Sequence, residues 1–159
     1  MALRINDALP SFDGIENWIN GNIAGNELRG CPVIVHFWAV SCPACVLSMP
    51  KLEARKRDMA AQNVRFVLVH RPRMASDRDA QKVEEALRAH GIESPCALDE
   101  SEVLAARFQT ADSWPYYFLF DGSGQLRSRA AGGVGFNLIE AALHRLVASA
   151  ACASTPLAA

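Results

Sequence analysis

The sequence predicts an α/β domain, a central mixed sheet covered by helices on both faces. Three observations carry this. Two apolar runs of strand length, 33–39 and 64–69, flank a stretch of helical periodicity at 43–61. That is the pattern of a strand–helix–strand unit, whose two strands lie parallel. Both runs are apolar at nearly every position, as strands buried on two faces are, instead of alternating. A later run, Tyr116-Tyr117-Phe118-Leu119-Phe120, leads into Asp121-Gly122-Ser123-Gly124. That turn signal returns the chain as a hairpin through 125–130, so the sheet gains antiparallel strands.

Taken in order, residues 1–27 carry Pro10, Gly14, Gly21 and Gly25 and read as loops. Asn20-Gly21 marks a turn, which predicts a short hairpin over Trp18–Gly21, with Ile15 and Trp18 covering an edge of the core. Glu27–Gly30 reads as a turn into the first central strand. In the helix at 43–61, Val46, Leu47, Met49, Leu52, Met59 and Ala60 supply the apolar positions and Pro50 predicts a kink. Lys51, Glu53, Arg55, Lys56, Arg57 and Asp58 read as its solvated face. Ser76 and Asp77 are expected to cap a helix running to about His90, stopped by Gly91. Pro95–Leu98 is a short strand, with Cys96 an inert buried thiol. Asp99 or Ser101 starts a short helix through Phe108. Phe136–Ala148 is the last helix, and the small-residue stretch 150–159 reads as a flexible tail. One domain is expected over residues 1–149.

Composition limits the function classes. At 159 residues, 50% of them hydrophobic and 21% charged, the chain has material for a full core. A net charge of −1 gives no electrostatic case for nucleic acid or an anionic membrane. No apolar run approaches the roughly 20 residues of a membrane span. Asn6, Asp7, Asp13 and Glu16 occupy the N-terminal stretch where an export leader would be apolar. The expectation is a cytoplasmic protein, the alternative being an extracytoplasmic one whose leader has been removed. Five cysteines do not make a disulfide framework, and in a reducing compartment a CxxC pair is catalytic or redox-sensing more often than structural.

That pair is Cys42-Pro43-Ala44-Cys45, set where strand 33–39 gives way to the helix. At a helix N-terminus a thiol meets unpaired backbone N–H groups and the positive end of the helix dipole. Such surroundings favour the thiolate, the form that attacks disulfides. Pro43 suits the first helical position, where a missing N–H costs nothing. Cys42 therefore reads as the nucleophile. Cys45, one turn further in, reads as the buried thiol that closes a disulfide and displaces a partner. The competing reading is half of a zinc site, but Cys31, Cys96 and Cys152 are isolated and His36, His70, His90 and His144 lack ligand spacing. His70-Arg71-Pro72-Arg73 ends the second central strand, at the sheet edge where α/β proteins bind ligands. It reads either as a basic group that steers an acidic partner or depresses the Cys42 pKa, or as a solvated loop. The aromatic–proline pair Trp114-Pro115, entering a strand, points to a cis peptide.

Several of these motifs together resemble the thioredoxin fold in its TlpA/ResA-like form: Phe37-Trp38-Ala39-x-x-Cys42-x-x-Cys45, the intrahelical Pro50, Trp114-Pro115, and Phe118-Leu119-Phe120-Asp121-Gly122-Ser123-Gly124. The insert at 76–98, ending Gly91-Ile92-x-x-Pro95-x-x-Leu98-Asp99, also resembles that family. Gly14-x-x-x-Trp18-Ile19-Asn20-Gly21 and the Trp-Pro pair look most similar to the TlpA-like domains fused to DsbD-like or NHL-repeat proteins. The resemblance implies a thioredoxin-like three-layer α/β/α domain with a TlpA-type inserted helix. It implies a thiol–disulfide oxidoreductase that needs no cofactor beyond its own Cys42–Cys45 disulfide and no metal. Its partners would be a protein thiol or disulfide and an upstream electron donor or acceptor. In the family's terms Cys42 is the exposed nucleophile and Cys45 the resolving cysteine. Pro115 faces the disulfide as a cis-proline, and Trp114 offers backbone hydrogen bonds to the partner. His36 falls where thioredoxins carry a buried Asp, so it would accept the Cys45 proton as that thiol attacks the mixed disulfide. The partner-binding set is then Trp114, Pro115, Ser41, Pro43 and Ala44. Ser41 departs from the Trp common before the first cysteine, and Pro43-Ala44 leaves the direction, reductant or oxidant, open. A peroxidase of the same broad fold would carry Thr or Ser three residues before the reactive cysteine, where this chain has Ala39. Two further readings use the same pair, a metal chaperone aided by a histidine such as His70 and a redox-switched interaction module.

Overall fold

The computed structural model describes residues 2–23 and 25–153. Six strands form one mixed sheet in the order β1-β4-β3-β2-β5-β6. The first central strand, β2 (Val33–Trp38), is buried at all six positions. It pairs in parallel with β3 (Arg65–His70), which pairs in parallel with β4 (Cys96–Leu98). On its other side β2 runs antiparallel to β5 (Tyr116–Phe120), itself antiparallel to β6 (Leu126–Ala131). Thus β2 and β3 hold the centre, and this is where the sequence is most continuously apolar.

Alternation along β2 divides the core. Val33, Val35 and Phe37 pack on one face with Leu104 and Phe108 of α3 (Val103–Phe108), with Phe118 and with Leu3 and Phe12 of the N-terminal segment. Ile34 and Trp38 point to the opposite face. There they meet α1 (Pro43–Ala60), α2 (Ala80–Ala89) and α4 (Gly135–Ala153) through Leu52, Met49, Leu87, Ile139 and Leu143. Each such side chain taken from water contributes about 1.5–3 kcal/mol, so the three-layer arrangement follows from strands apolar on both faces. This is the thioredoxin-like α/β/α layering expected, with α2 as the inserted helix.

Several local expectations change. Trp18–Ile19 forms no hairpin but is β1, an edge strand antiparallel to β4, with Trp18 opposite Ala97. The Asn20-Gly21 turn does form, with both residues at positive φ. The Asn20 amide then donates to the Ile92 carbonyl at 2.9 Å instead of closing a local ladder. The chain before β2 is a 3-10 turn, Gly25–Leu28. Helix α1 passes through Pro50 unbroken. Proline there removes one backbone donor, so the Val46 carbonyl loses its i+4 partner while the remaining turns hold. The helix predicted from Ser76 begins instead at Ala80, capped by Asp79, whose carboxylate accepts from the Gln81 N–H at 3.1 Å. A 3-10 turn at Ala75–Arg78 precedes it and frees Asp77 for another role. Helix α3 starts at neither Asp99 nor Ser101 but at Val103, with Glu102 as N-cap, while Asp99 serves its first turn from upstream by accepting from the Leu104 and Ala105 N–H groups at 2.9 and 2.8 Å. Helix α4 continues to Ala153, and the tail expected from residue 150 lies, past that point, outside the described residues.

Candidate active site

Cys42 and Cys45 are joined as a disulfide at the start of α1, their Cα atoms 5.2 Å apart. Local chemistry explains the placement. The Cys42 N–H donates to Ala39 at 3.0 Å, which closes the turn after β2. The Cys42 backbone is extended (φ −91, ψ 107), and its carbonyl accepts the first helical bond from Val46. Cys42 is thus the N-cap, and its sulfur does what a capping side-chain oxygen does: Sγ accepts the Cys45 N–H at 3.2 Å. Pro43 occupies N1. A charge on this sulfur would sit at the positive end of an 18-residue helix.

Cys42 was expected to be exposed, yet it is only 3% accessible, and Cys45 is fully enclosed. The reason is the packing of Met49, Trp38 and the partly buried Trp114 around the pair. Access comes through an open groove of about 620 Å³ that Cys42 borders with Pro43, Ala44, Arg73, Trp114 and Gly132. Ala44 is exposed and Ser41 half-buried. The Trp114–Pro115 peptide is cis, and the Pro115 carbonyl accepts from Gly132 at 2.8 Å, which ties that loop to the turn before α4. A hollow of about 790 Å³ beside the N-terminal segment and one of about 600 Å³ beside α2 border neither cysteine.

His36 is 3% exposed and lies on the face of β2 that carries α1. Its ring stacks on Tyr117, centroids 4.5 Å apart and planes 18° from parallel. Nε2 is buried without a hydrogen-bond partner. Burial, then the nearby Lys56 ammonium, hold its pKa well below the usual histidine value, so the ring is neutral at pH 7. Burial and, in opposition, the Ser48 hydroxyl set the Tyr117 phenol, which is pushed up to about 12. Lys56 is itself buried and pairs with Glu53 at 3.2 Å. Burial lowers its pKa, and Glu53 partly restores it.

The structure also settles the fate of the segment 70–73, for which both a basic group and a solvated loop are expected. His70 is 2% exposed, and its Nε2 accepts the Val40 N–H at 3.1 Å, fixing the turn before Cys42. Its ring meets Trp38 edge-on, centroids 4.9 Å apart. Burial lowers its pKa to about 4, against a smaller opposing pull from Asp77, so it is a neutral acceptor and not a cation. Arg71 is 8% exposed and points inward. It pairs with Glu102 at 2.9 Å and Asp112 at 3.1 Å, donates to the Ala111 carbonyl, and lies 4.5 Å from the centre of the Trp114 ring. The Trp114 indole N–H in turn donates to the Arg71 carbonyl at 3.0 Å. Asp77 is 2% exposed and accepts from the Ser41 hydroxyl at 2.6 Å and from the N–H groups of Arg73 and Met74. Burial would raise its pKa, but these donors outweigh it and hold the carboxyl below the usual range. The one signal available beforehand was the position of 70–73 at the C-terminal end of a central strand.

Among the described residues no group of three or more His, Cys, Asp or Glu side chains is placed to hold a metal ion. No described helix is long and apolar enough to cross a membrane.

Comparison with known proteins agrees with this arrangement. The model of the AhpC/TSA family matches residues 5–129. The thiol-disulfide oxidoreductase YkuV of Bacillus subtilis is 33% identical over 147 residues, covering 92% of this chain and 98% of that protein. Protein DipZ of Mycobacterium tuberculosis is 28% identical, and the match spans 87% of this chain but 20% of DipZ. Among solved structures, a thioredoxin-like protein in its oxidized form superposes with a TM-score of 0.82 at 32% identity, covering 92% of this chain and 99% of that one. A DsbE-type thiol:disulfide interchange protein from Chlorobium tepidum shares the fold, with a TM-score of 0.74 at 20% identity, covering 92% and 99% of the two chains.

Proposed function

This chain belongs to the AhpC/TSA family and is an oxidoreductase of the TlpA/ResA-like thioredoxin fold, and from that premise we propose that it exchanges disulfides with a partner protein through Cys42 and Cys45. In the reductive direction the Cys42 thiolate attacks one sulfur of the partner disulfide. A mixed disulfide forms and the other partner sulfur leaves as a thiolate. Cys45 then gives up its proton and attacks Cys42, which closes the Cys42–Cys45 disulfide and frees the partner as a dithiol. Two electrons pass to the partner, and an upstream donor resets the pair. The oxidative direction is the same sequence reversed, with an acceptor upstream. The observation that carries this reading is the Cys42 sulfur acting as N-cap, accepting a backbone N–H at the rim of an open groove.

Within that reading His36 takes the proton from Cys45. A buried, unpartnered ring nitrogen costs roughly 1–3 kcal/mol, and a neutral imidazole at that position is a competent acceptor. Trp114, Pro115, Ser41, Pro43 and Ala44 form the rim against which the partner docks. A peroxidase reading from the same family has less support, because the position three residues before Cys42 is the fully buried Ala39 and not a hydroxyl residue. The cytoplasmic expectation has no support from the relatives. They include a protein named as chloroplastic and a solved structure described as a secreted oxidoreductase. An extracytoplasmic setting suits the proposed exchange.

The test is insulin reduction with dithiothreitol as donor, together with the thiol–disulfide equilibrium against glutathione. The wild type is expected to accelerate insulin precipitation and Cys42→Ser to abolish the acceleration. His36→Leu is expected to slow release of a trapped mixed disulfide by roughly tenfold or more and to change its pH profile. Absence of any Cys42–Cys45 disulfide across the glutathione series overturns the exchange mechanism. An unchanged release rate and profile in His36→Leu reduces the histidine to packing.

A further inference from the structure

We propose that Arg73 is the electrostatic partner of the Cys42 thiolate, a positioning residue that shifts the redox couple toward the dithiol. The inference rests on the exchange reading above and names the group that regulates it.

The geometry begins with Ser41, the residue before the nucleophile. It is gripped from two sides by the segment after β3. Its hydroxyl donates to Asp77 at 2.6 Å, and its carbonyl accepts from Arg73 Nη1 at 2.8 Å. Asp77 in turn accepts the Arg73 backbone N–H at 2.8 Å, so one carboxylate anchors both the loop that bears the cysteine and the residue that bears the cation. The guanidinium also lies 5.8 Å from the centre of the Trp114 ring. It is therefore held one residue from Cys42, on the groove that Cys42 borders.

Among the described residues no other cation near the site is free to act this way. Arg71 is engaged by Glu102 and Asp112 behind Trp114. His70 is neutral and accepts the Val40 N–H. Lys56, a buried residue of α1, is paired with Glu53, and His36, on β2, is uncharged at pH 7. The Arg73 guanidinium has a carbonyl and an aromatic face for neighbours and, among the described residues, no carboxylate within salt-bridge distance. Asp112, which also lines the groove, is tied to Arg71. The other side chains that line the groove, on Pro43, Ala44, Ser113, Trp114 and Ala131, are uncharged.

The consequence is asymmetric between the redox states. In the disulfide neither sulfur is charged, and the cation has nothing to neutralise. In the dithiol a negative charge appears on Cys42 beside it. A fixed cation therefore stabilises the reduced form alone, as the helix N-terminus does, and makes the couple more oxidising.

The experiment uses the full chain with Arg73→Gln, Arg73→Lys and wild type. Thiolate absorbance of the reduced protein gives the Cys42 pKa, and the glutathione equilibrium gives the couple; neither needs a partner protein. Arg73→Gln is expected to raise the Cys42 pKa by roughly half to one unit. It is expected to shift the equilibrium about three- to tenfold toward the disulfide, or roughly 15–30 mV. Arg73→Lys keeps the charge and is expected to retain most of the wild-type pKa. The gap between wild type and Arg73→Gln is expected to narrow in 1 M salt, because the groove is open to solvent. An Arg73→Gln protein within twofold of wild type in both readings overturns the proposal. So does an Arg73→Lys protein that behaves like Arg73→Gln, since the tether to Ser41 would then matter and the charge would not. If the wild type itself shows an ordinary Cys42 thiol and no disulfide, the exchange reading has failed. If the wild type shows both and only the variants are flat, this inference alone has.

Discussion

Acidification is expected to loosen the turn before Cys42 through one histidine. His70 accepts the Val40 N–H with Nε2 and is 2% exposed, and its pKa is lowered from 6.5 to about 4 by burial. Protonation would turn that acceptor into a donor facing a donor. Because the folded pKa lies below the unfolded one, the unfolded chain takes the proton first. Stability is therefore fully present above about pH 6.5, falls as pH drops toward 4, and levels off below that. At 1.36 kcal/mol per unit, the difference between the two pKa values is worth about 3 kcal/mol in full and about 2 kcal/mol by pH 5. His36, also lowered by burial, adds to the loss in the same direction. Asp77 and Asp121 carry lowered pKa values, so their contribution is lost only below the ordinary carboxylate value of 3.8 and leaves the window clear. The assay is urea unfolding of wild type and His70→Gln at pH 7.5 and pH 5. Glutamine can accept the Val40 N–H through its carbonyl but does not titrate. Wild type is expected to lose about 2 kcal/mol more than His70→Gln between the two pH values. Losses equal within about 0.5 kcal/mol would refute the assignment of a neutral, buried His70.

Two further outcomes follow from the same neighbourhood. Arg71→Met is expected to cost about 2 kcal/mol, about 1 from the Trp114 face and about 0.5 from each ion pair, since Glu102 and Asp112 are largely solvated. That corresponds to a fall of roughly 5 °C in Tm, and a change under 1 °C would show that Trp114 is held by other contacts. Cys96 is 0% exposed and burial pushes its pKa up to about 12. In the reduced native protein iodoacetamide at pH 8 is expected to label Cys42 and spare Cys96 until denaturant is added. Mass-spectrometric mapping that finds Cys96 labelled as fast as Cys42 would contradict the closed packing of that site.

The parts of the fold that were legible in the sequence are those whose signal is short-ranged. The nearly unbroken apolarity of 33–39 and 64–69 announced the two central strands, because β2 is buried at every position and β3 at its last four. Cys42-Pro43 announced an N-cap and N1 because that preference is set within one turn. Where the same reasoning failed, a distant partner had overridden a local rule. Trp18–Ile19 was expected to fold back on itself, but the free edge of β4 offered a ladder and took it. Asp77 was expected to cap a helix, but Ser41 lies near enough to claim its carboxylate, so Asp79 caps in its place. The basic loop at 70–73 was ambiguous because its three side chains have three fates: one buried and neutral, one buried and paired, and one left on the groove.

What the sequence by itself determined is the placement of the cysteine pair: two residues one helical turn apart, the first at the mouth of a helix, just after a strand too apolar to lie anywhere but the centre. Backbone geometry and solvation dictate that much within about twenty residues. Only the tertiary structure decided what surrounds the sulfur. His70 reaches Val40 across 30 positions, Asp77 reaches Ser41 across 36, and Trp114 reaches Arg71 across 43. Contacts of that range exist only once β3 has docked beside β2 and β5 has docked on its other side. They depend on strand order and register, which no local pattern of residue types encodes.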